Sequence, residues 1–265
     1  MIYSNNHTYI GYSHLNANKV CQDYSLSYKD NERAVIAVAD GHGGDIYIRS
    51  EYGAKYACLS AMDVFRSLTI NNIKKIDSEK LEAKIKLDVL CKWNEYVENH
   101  FASKHFRKSE LSKLNDDQIF SLKSNIVKAY GTTLCGAMVL GRYLIVVSLG
   151  DTDIFGVKKE KLIPMFDTSE DPTANVTNSL CQDDAFEYLR VRICLAKEFD
   201  SVLICSDGLS SPYQDYKNFN RSFVQPACKE IEKLHGDYQT AIKVQKIASE
   251  LGVGDDVSFA ILQKI

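Results

Sequence analysis

Short apolar runs that end in acidic residues and glycines recur along the chain. Each run is rich in β-branched or aromatic residues, which is typical of short strands. The pattern predicts strands at 35–38, 143–149, 201–205 and 257–262.

Between these runs the apolar residues recur every four positions, which is typical of amphipathic helices. The clearest case is Ile85, Val89, Trp93, Val97 and Phe101. Patterns of this kind predict further helices at 46–65, 118–130 and 221–251, the last of them stopped by Gly252. Because strands and helices are segregated rather than strictly alternating, an α+β protein is favoured over a doubly wound parallel sheet.

One polar segment fits neither pattern. Residues 167–184 contain Pro172 and several Asn, Thr and Asp residues. They predict a long loop or flap, and long loops in compact domains are often functional. No repeat, low-complexity tract or linker interrupts the rest, so we expect residues 1–265 to form one domain.

Composition excludes several classes of protein. The chain has 265 residues, 45% hydrophobic and 25% charged, and a net charge of -3, which argues against nucleic-acid binding. The N-terminal sequence does not resemble a signal peptide, and no stretch approaches the ~18 apolar residues of a membrane span. The eight cysteines contain no CxxC pair, which argues against a zinc site. We expect a monomeric, cytoplasmic protein with reduced thiols and no membrane or nucleic-acid partner.

The turn after the first predicted strand combines a carboxylate with an imidazole. Asp40 ends the apolar run and offers the hard oxygen ligands that Mg²⁺ and Mn²⁺ prefer. His42 carries the side chain whose pKa ordinarily lies nearest neutrality. Gly41, Gly43 and Gly44 have no Cβ to block close approach of a ligand or backbone. Taken alone, the turn is equally well explained by the ordinary turn chemistry of Asp and Gly.

Acidic residues beside glycines occur at three further strand ends. They are Asp151, Asp207 and the pair Asp255 and Asp256. If these ends meet at one edge of the sheets, the carboxylates converge and need cations among them to remain ionised. Two Mg²⁺ or Mn²⁺ ions held in this way can activate water for displacement at phosphorus.

Several short motifs follow the order and approximate spacing of the PP2C, or metal-dependent protein phosphatase, family. They are DGHGG at 40–44, GTT at 131–133, GD at 150–151, SDGL at 206–209 and GxxDD at 252–256, with CQD at 21–23 similar to the family's N-terminal acidic motif. The resemblance extends from Gly11 to the C terminus. It implies a four-layer α-β-β-α sandwich, in which helices flank two packed β-sheets and the metal site lies at one end between the sheets.

The resemblance also implies a function: hydrolysis of phosphoserine and phosphothreonine in proteins, with two divalent cations, Mn²⁺ or Mg²⁺, activating the attacking water. Asp40 and His42 would be catalytic, His42 by protonating the leaving oxygen. The implied metal ligands are Asp40, the Gly41 carbonyl, Asp207 and Asp255, with Asp151 at a weaker third site. Gln22, Asp23 and Asp256 would act around the metals without binding them directly.

The chain departs from the family in how it could bind the substrate phosphate. Asn18 stands at about the position where many members have an arginine. Lys19 or His14 could take that role, although a lysine acts as a point charge rather than a bidentate fork. A solvated surface lysine is the alternative for Lys19. Ser211 stands where some members have a further acidic metal-site residue, which weakens the case for a third metal.

Three other classes of function compete with this one. A PP2C-fold pseudophosphatase, acting as a binding or regulatory module, is the main alternative, but such proteins typically lose metal carboxylates that this chain keeps. A P-loop enzyme is excluded because Ala137 and Met138 follow Gly136, where Lys and Ser or Thr are required. A cysteine-nucleophile phosphatase is excluded because no cysteine has an arginine six positions later.

Overall fold

Two five-stranded antiparallel sheets form the centre of the protein. The computed structural model describes residues 2–166, 177–234 and 238–264. The strands are β1 (Tyr3–Tyr9), β2 (Tyr24–Lys29), β3 (Arg33–Ala39), β4 (Leu134–Leu140), β5 (Tyr143–Leu149), β6 (Asp153–Lys158), β7 (Lys161–Pro164), β8 (Arg190–Leu195), β9 (Ser201–Cys205) and β10 (Val257–Gln263). One sheet has the order β1-β10-β9-β6-β7, and the other has the order β2-β3-β4-β5-β8.

Helices cover the outer face of each sheet. They are α1 (Tyr12–Asn16), α2 (Ser50–Ser67), α3 (Ile70–Lys75), α4 (Ser78–Ser103), α5 (Lys108–Leu111), α6 (Asp116–Ser124), α7 (Ala185–Tyr188), α8 (Asp207–Ser210), α9 (Tyr216–Phe219), α10 (Gln225–Leu234) and α11 (Tyr238–Lys246). Short 3₁₀ segments span Ile126–Tyr130 and Ala196–Glu198, and π-helical turns span Asn220–Val224 and Ile247–Leu251.

The alternation of side chains along β3 explains the layering. Val35, Ala37 and Ala39 pack against α2, whereas Ile36 and Val38 face the other sheet. Successive side chains on a strand point to opposite faces, so an uninterrupted apolar run is buried on both sides. The predicted α+β class and the α-β-β-α sandwich are therefore confirmed.

Helix α4 follows the four-residue spacing read from the sequence. The side chain of its N-cap, Asp77, accepts hydrogen bonds from two backbone N–H groups of the first turn. Trp93 is fully buried, and its indole N–H donates to the Gly53 carbonyl of α2 over 3.1 Å. Phe101, the last residue of the predicted stripe, is only half-buried.

The helix bounds needed correction. The predicted helix 46–65 begins only at Ser50, because the Arg49 N–H is diverted to the Ala129 carbonyl. The predicted helix 118–130 is interrupted at Asn125, whose side chain caps a new 3₁₀ turn. The predicted helix 221–251 contains two helices, α10 and α11, with residues 235–237 outside the described part of the chain.

The predicted flap is described only in part. Residues 167–176 lie outside the described residues, while 177–184 form a connection into α7. Within this connection the Ser179 hydroxyl accepts a 3.0 Å hydrogen bond from the Thr132 N–H, and the Leu180 N–H donates to the Thr132 carbonyl. This part is therefore bonded to the segment leading into β4. Among the described residues, no helix combines the length and apolar composition needed to span a bilayer.

The packing of α4 generates a stability prediction. Trp93→Ala should lower the free energy of unfolding by about 3–5 kcal/mol, since it leaves a cavity between α4 and α2. Leu87→Ala, at a position 53% exposed on the same helix, should change it by less than about 0.5 kcal/mol. Urea unfolding followed by circular dichroism measures both, and similar losses for the two variants would contradict the packing described.

Candidate metal centre

The loop after β3 is fixed by the segment that leads into β4. The Asp40 carbonyl accepts hydrogen bonds from the Thr133 N–H and the Thr132 hydroxyl, both over 2.9 Å. In return the Asp40 N–H donates to the Thr133 hydroxyl over 2.9 Å. These bonds explain the GTT motif, because its threonines hold the backbone of the first candidate ligand at the sheet end.

Carboxylates from four chain segments act electrostatically on Asp40. Burial raises the pKa of Asp40 well above its ordinary value, and the charges of Asp23, Asp207, Asp151 and Asp255 raise it further. The pKa of Asp207 is also raised, first by burial and then by Asp151 and Asp255. Strand ends far apart in sequence therefore bring these side chains to one end of the sandwich.

Two carboxylate oxygens at this end have no hydrogen-bond partner among the described residues. They are Oδ1 of Asp207 and Oδ2 of Asp23, and both are buried. A buried oxygen without a donor is costly, and a cation would offset that cost. The donor set of carboxylates suits Mg²⁺ or Mn²⁺, so the residues present fit a divalent metal.

The carboxylates do not form a closed cage. Within the described ranges, no three His, Cys, Asp or Glu side chains are grouped closely enough to be recognised as a metal site. Asp151 and Asp255 are exposed, and Asp151 accepts a 2.6 Å hydrogen bond from the Thr177 hydroxyl. Mg²⁺ keeps several of its waters and uses few carboxylates, so an open arrangement also fits such an ion.

The carboxylate of Asp256 is surrounded by backbone N–H donors and does not face an open ligand site. Its carboxylate accepts hydrogen bonds from the Gly11 N–H at 2.7 Å and the Gln22 N–H at 2.6 Å, and His14 Nδ1 lies 2.9 Å away. The side chain is 2% exposed. A Cβ on Gly11 would lie 2.2 Å from the Asp255 carbonyl carbon, so only glycine permits this approach. Asp256 thus ties the N-terminal segment to the start of β10.

Gln22 holds the DGHGG loop from the other side. Its side-chain amide donates to the His42 carbonyl over 3.0 Å and to the Ser50 hydroxyl. The backbone carbonyl of Gln22 accepts a hydrogen bond from the Gly41 N–H. A Cβ on Gly41 would lie 2.6 Å from the Gln22 carbonyl oxygen, so this position requires glycine. A Cβ on Gly43 would approach no protein atom closer than 3.8 Å, so no protein contact requires glycine there.

His42 lies beside the carboxylates and is influenced by the charge of Asp151. The backbone N–H of His42 donates to the Gly131 carbonyl over 3.1 Å, and the centre of the imidazole ring lies 4.9 Å from that of the Tyr47 ring. The buried Nε2 has no partner among the described residues. Burial lowers the pKa of His42, and the nearby Asp151 charge opposes this effect.

The two predicted phosphate-binding residues differ in their surroundings. Lys19 is exposed, and Asn18 before it adopts a left-handed conformation with φ of 51°. The Nδ1 atom of His14 lies 2.9 Å from the buried Asp256 carboxylate, so His14 helps to hold the N-terminal segment against the start of β10. A role for either residue in phosphate binding stays a prediction.

Sequence reasoning missed several residues around the site. Asp153 accepts hydrogen bonds from the Ser210 hydroxyl at 2.8 Å and the Tyr216 hydroxyl at 3.0 Å. Tyr47 lies between His42 and an open cleft of about 480 Å³, whose walls include Lys128. An acidic residue two positions after the GD motif was a visible signal for Asp153, whereas nothing local marks Tyr47.

Comparison with known proteins agrees with this architecture. The family model described as Protein phosphatase 2C matches residues 10–242. A search of curated proteins found no match. The chain belongs to the protein phosphatase 2C family.

Solved structures share the fold at low sequence identity. A bacterial serine phosphatase is 15% identical with a TM-score of 0.64, over 100% of this chain and 98% of that one. The S. agalactiae serine/threonine phosphatase is 16% identical with a TM-score of 0.61, over 100% of both chains. The catalytic domain of the phosphatase PstP, in complex with 2 manganese ions, is 15% identical with a TM-score of 0.58, over 99% and 97%.

The buried carboxylates generate a prediction on pH. Burial and the Asp256 charge raise the pKa of Asp23 to about 8, against ~3.9 in an unfolded chain. The folded metal-free protein then binds more protons than the unfolded chain between these values, so its stability should fall as the pH rises through this window.

Asp23→Asn isolates this effect because it keeps the shape and removes the charge. In chelator at pH 8 it should raise the Tm by about 2–4 °C for each ~1 kcal/mol relieved, and at pH 4 it should leave the Tm nearly unchanged. Asp117→Asn, at an exposed position on α6, is the matched control. An equal Tm change for both variants at pH 8 would contradict the raised pKa.

Proposed function

We propose that this chain is a metal-dependent phosphatase that removes phosphate from phosphoserine and phosphothreonine in proteins. The observation that carries the proposal is the convergence of carboxylates on Asp40, with the buried Oδ1 of Asp207 left without a donor from any described residue. Membership of the protein phosphatase 2C family supports the reaction class. The likeness to a fold relative in complex with 2 manganese ions supports a divalent metal.

The proposed ligands of two divalent cations are Asp40, the Gly41 carbonyl, Asp207 and Asp255. Asp151 would contribute to a weaker third site. Cations bound there would make water nucleophilic at neutral pH and neutralise charge on the phosphate.

The protein's own groups have separate tasks in this mechanism. His42 would donate its proton to the serine or threonine oxygen as the bond to phosphorus breaks, since an unprotonated alkoxide is a poor leaving group. Its lowered pKa makes the imidazolium a stronger acid, although a smaller fraction is protonated at neutral pH. Gln22 holds the His42 backbone through the hydrogen bond from its side-chain amide to the His42 carbonyl, and Tyr47 packs beside the His42 imidazole ring.

Metal dependence is the first test of this proposal. Hydrolysis of an aryl phosphate and of a phosphothreonine peptide should require added Mn²⁺ or Mg²⁺ and stop in chelator. Asp207→Asn should lower kcat/KM by ~10²-fold or more, because even residues outside the ligand shell contribute 10–100-fold. Asp45→Asn, at an exposed acid in the neighbouring loop, should change it by less than about twofold, a surface effect of a few tenths of a kcal/mol.

Two outcomes would contradict the assignment. Undiminished turnover in chelator would exclude the two-metal mechanism. A wild-type protein that binds Mn²⁺ by calorimetry yet turns over neither substrate would instead identify the pseudophosphatase.

The role of His42 is tested by the leaving group. His42→Ala should lower kcat on a phosphothreonine peptide by ~10²–10⁴-fold, the usual contribution of a positioned acid. On an aryl phosphate the loss should be far smaller, because an activated phenolate departs without protonation. Losses of equal size on both substrates, with circular dichroism showing an intact fold, would contradict proton donation by His42.

A further inference from the structure

The backbone of His42 is hydrogen-bonded on both sides, whereas its imidazole ring is not. The His42 N–H donates to the Gly131 carbonyl over 3.1 Å, and the His42 carbonyl accepts from the Gln22 side-chain amide over 3.0 Å. Among the described residues, no hydrogen bond reaches either nitrogen of the ring. The choice between the staggered side-chain rotamers of His42 therefore depends on packing.

Orientation of the ring matters for the reaction proposed above. A histidine that transfers a proton is commonly oriented by a hydrogen bond to its second ring nitrogen. Proton transfer needs the donor and acceptor atoms within about 2.6–3.2 Å of each other, so a ring in another rotamer cannot donate. Within the described part of the chain, the orienting contact must come from side chains that pack against the imidazole.

The aromatic ring of Tyr47 makes such a contact. The ring centres of His42 and Tyr47 lie 4.9 Å apart with their planes inclined by 60°, an arrangement in which aromatic rings attract each other. The backbone of Tyr47 is itself held on both sides. Its N–H donates to the Gly44 carbonyl over 2.9 Å, and its carbonyl accepts from the Ser50 N–H over 3.1 Å. Tyr47 thus presents its ring to His42 from a hydrogen-bonded turn just before α2.

Two glycines enclose the Tyr47 ring. A Cβ on Gly131 would lie 2.4 Å from Cδ1 of Tyr47 and 2.9 Å from Cδ2 of His42. A Cβ on Gly44 would lie 3.2 Å from Cδ2 of Tyr47. Because Cδ1 and Cδ2 lie on opposite edges of the Tyr47 ring, backbone segments contact the ring from both edges. The absence of a Cβ on Gly131 is what allows both aromatic rings to lie beside it.

These contacts give the Tyr47 ring a task in the chemistry. We propose that Tyr47 is a positioning residue, which holds the His42 imidazole in the rotamer that donates a proton to the leaving oxygen. This inference rests on the proposed role of His42 as the proton donor. Tyr47 also lines the open cleft of about 480 Å³, so its removal leaves space into which the imidazole can turn. The DGHGG motif ends at Gly44 and does not include Tyr47.

The dependence of kcat on the leaving group tests this task. Tyr47→Leu keeps an apolar side chain and removes the flat ring. With Mn²⁺ added, it should lower kcat on a phosphothreonine peptide ~10-fold, the effect of losing one aromatic pair. It should change kcat on an aryl phosphate by less than about twofold, because an activated phenolate departs without protonation. Tyr47→Phe keeps the ring and should retain kcat on both substrates within about twofold.

Tyr52→Leu is the matched control for loss of a tyrosine. Tyr52 is also half-buried, but its ring packs against His100, with the ring centres 4.2 Å apart. Its replacement should lower the Tm, as Tyr47→Leu does, without changing the ratio of the kcat values for the two substrates. A double-mutant cycle supplies a second control. In His42→Ala protein, Tyr47→Leu should change kcat on the peptide by less than about twofold, because no imidazole remains to be positioned.

A measurement without turnover separates this inference from the proposed function. In chelator, three-bond ¹⁵N–¹³C couplings of His42 measured by NMR report its χ1 rotamer. They should indicate one rotamer in the wild type and in Tyr47→Phe, and averaging between rotamers in Tyr47→Leu. This result would support positioning by Tyr47 even if the wild type hydrolysed neither substrate, an outcome that would contradict the proposed function alone.

Three outcomes would overturn the proposal. His42 could keep a single χ1 rotamer in Tyr47→Leu, which would show that other contacts hold the ring. The kcat losses in Tyr47→Leu could be equal on the two substrates, which would indicate general damage to the site. The loss on the peptide could persist undiminished in His42→Ala protein, which would show that Tyr47 does not act through His42.

Discussion

Repulsion among carboxylates is the constraint around which one end of the sandwich is built. Asp40 has its pKa raised by burial and by four other acidic side chains, and Asp207 retains a buried oxygen to which no residue in the described part of the chain donates. Such an arrangement costs folding free energy and persists only where the surrounding structure over-determines it. The loop after β3 is therefore stabilised by its hydrogen bonds to the GTT segment and to Gln22. Asp256 holds the N-terminal segment to the start of β10.

The uncharged part of the fold offsets this cost. Strand β3 is buried on both faces, packing against α2 on one side and against the second sheet on the other. Trp93 adds a hydrogen bond to the Gly53 carbonyl, so α4 is held to α2 by more than apolar contact. A rigid frame of this kind can hold like charges together at its edge, which a flexible loop could not.

Tyr130 connects the candidate metal centre to a buried polar network around Arg49. Its hydroxyl contacts Arg49 and His100, and the carbonyl of the next residue, Gly131, accepts a hydrogen bond from the His42 backbone N–H at the metal centre. One short segment thus positions a candidate proton donor on one side and contacts Arg49 and a buried histidine on the other. A shift of this segment would change both the Tyr130 contacts with Arg49 and His100 and the hydrogen bond between Gly131 and His42.

The residues at the strand ends could be found from the sequence because their signal is local. An apolar run followed by Asp and Gly predicts both a buried strand and a carboxylate at its edge, and this pattern located Asp40 and Asp207. The four-residue spacing located α4 for the same reason. Helix ends were less accurate, since diversion of the Arg49 N–H to Ala129 is a contact across 80 residues.

Long-range pairing decided the rest. Strand β1 is polar throughout and half-buried, so no apolar pattern marks it, and it exists because it pairs with β10 at the other end of the chain. Asp256 resembled one more strand-end acid, and only the folded chain directs it to Gly11 and Gln22. The sequence by itself determined which chemical groups stand at strand ends. Tertiary structure decided which of them face each other, because charge repulsion, burial and hydrogen-bond partners depend on distances that no local pattern encodes.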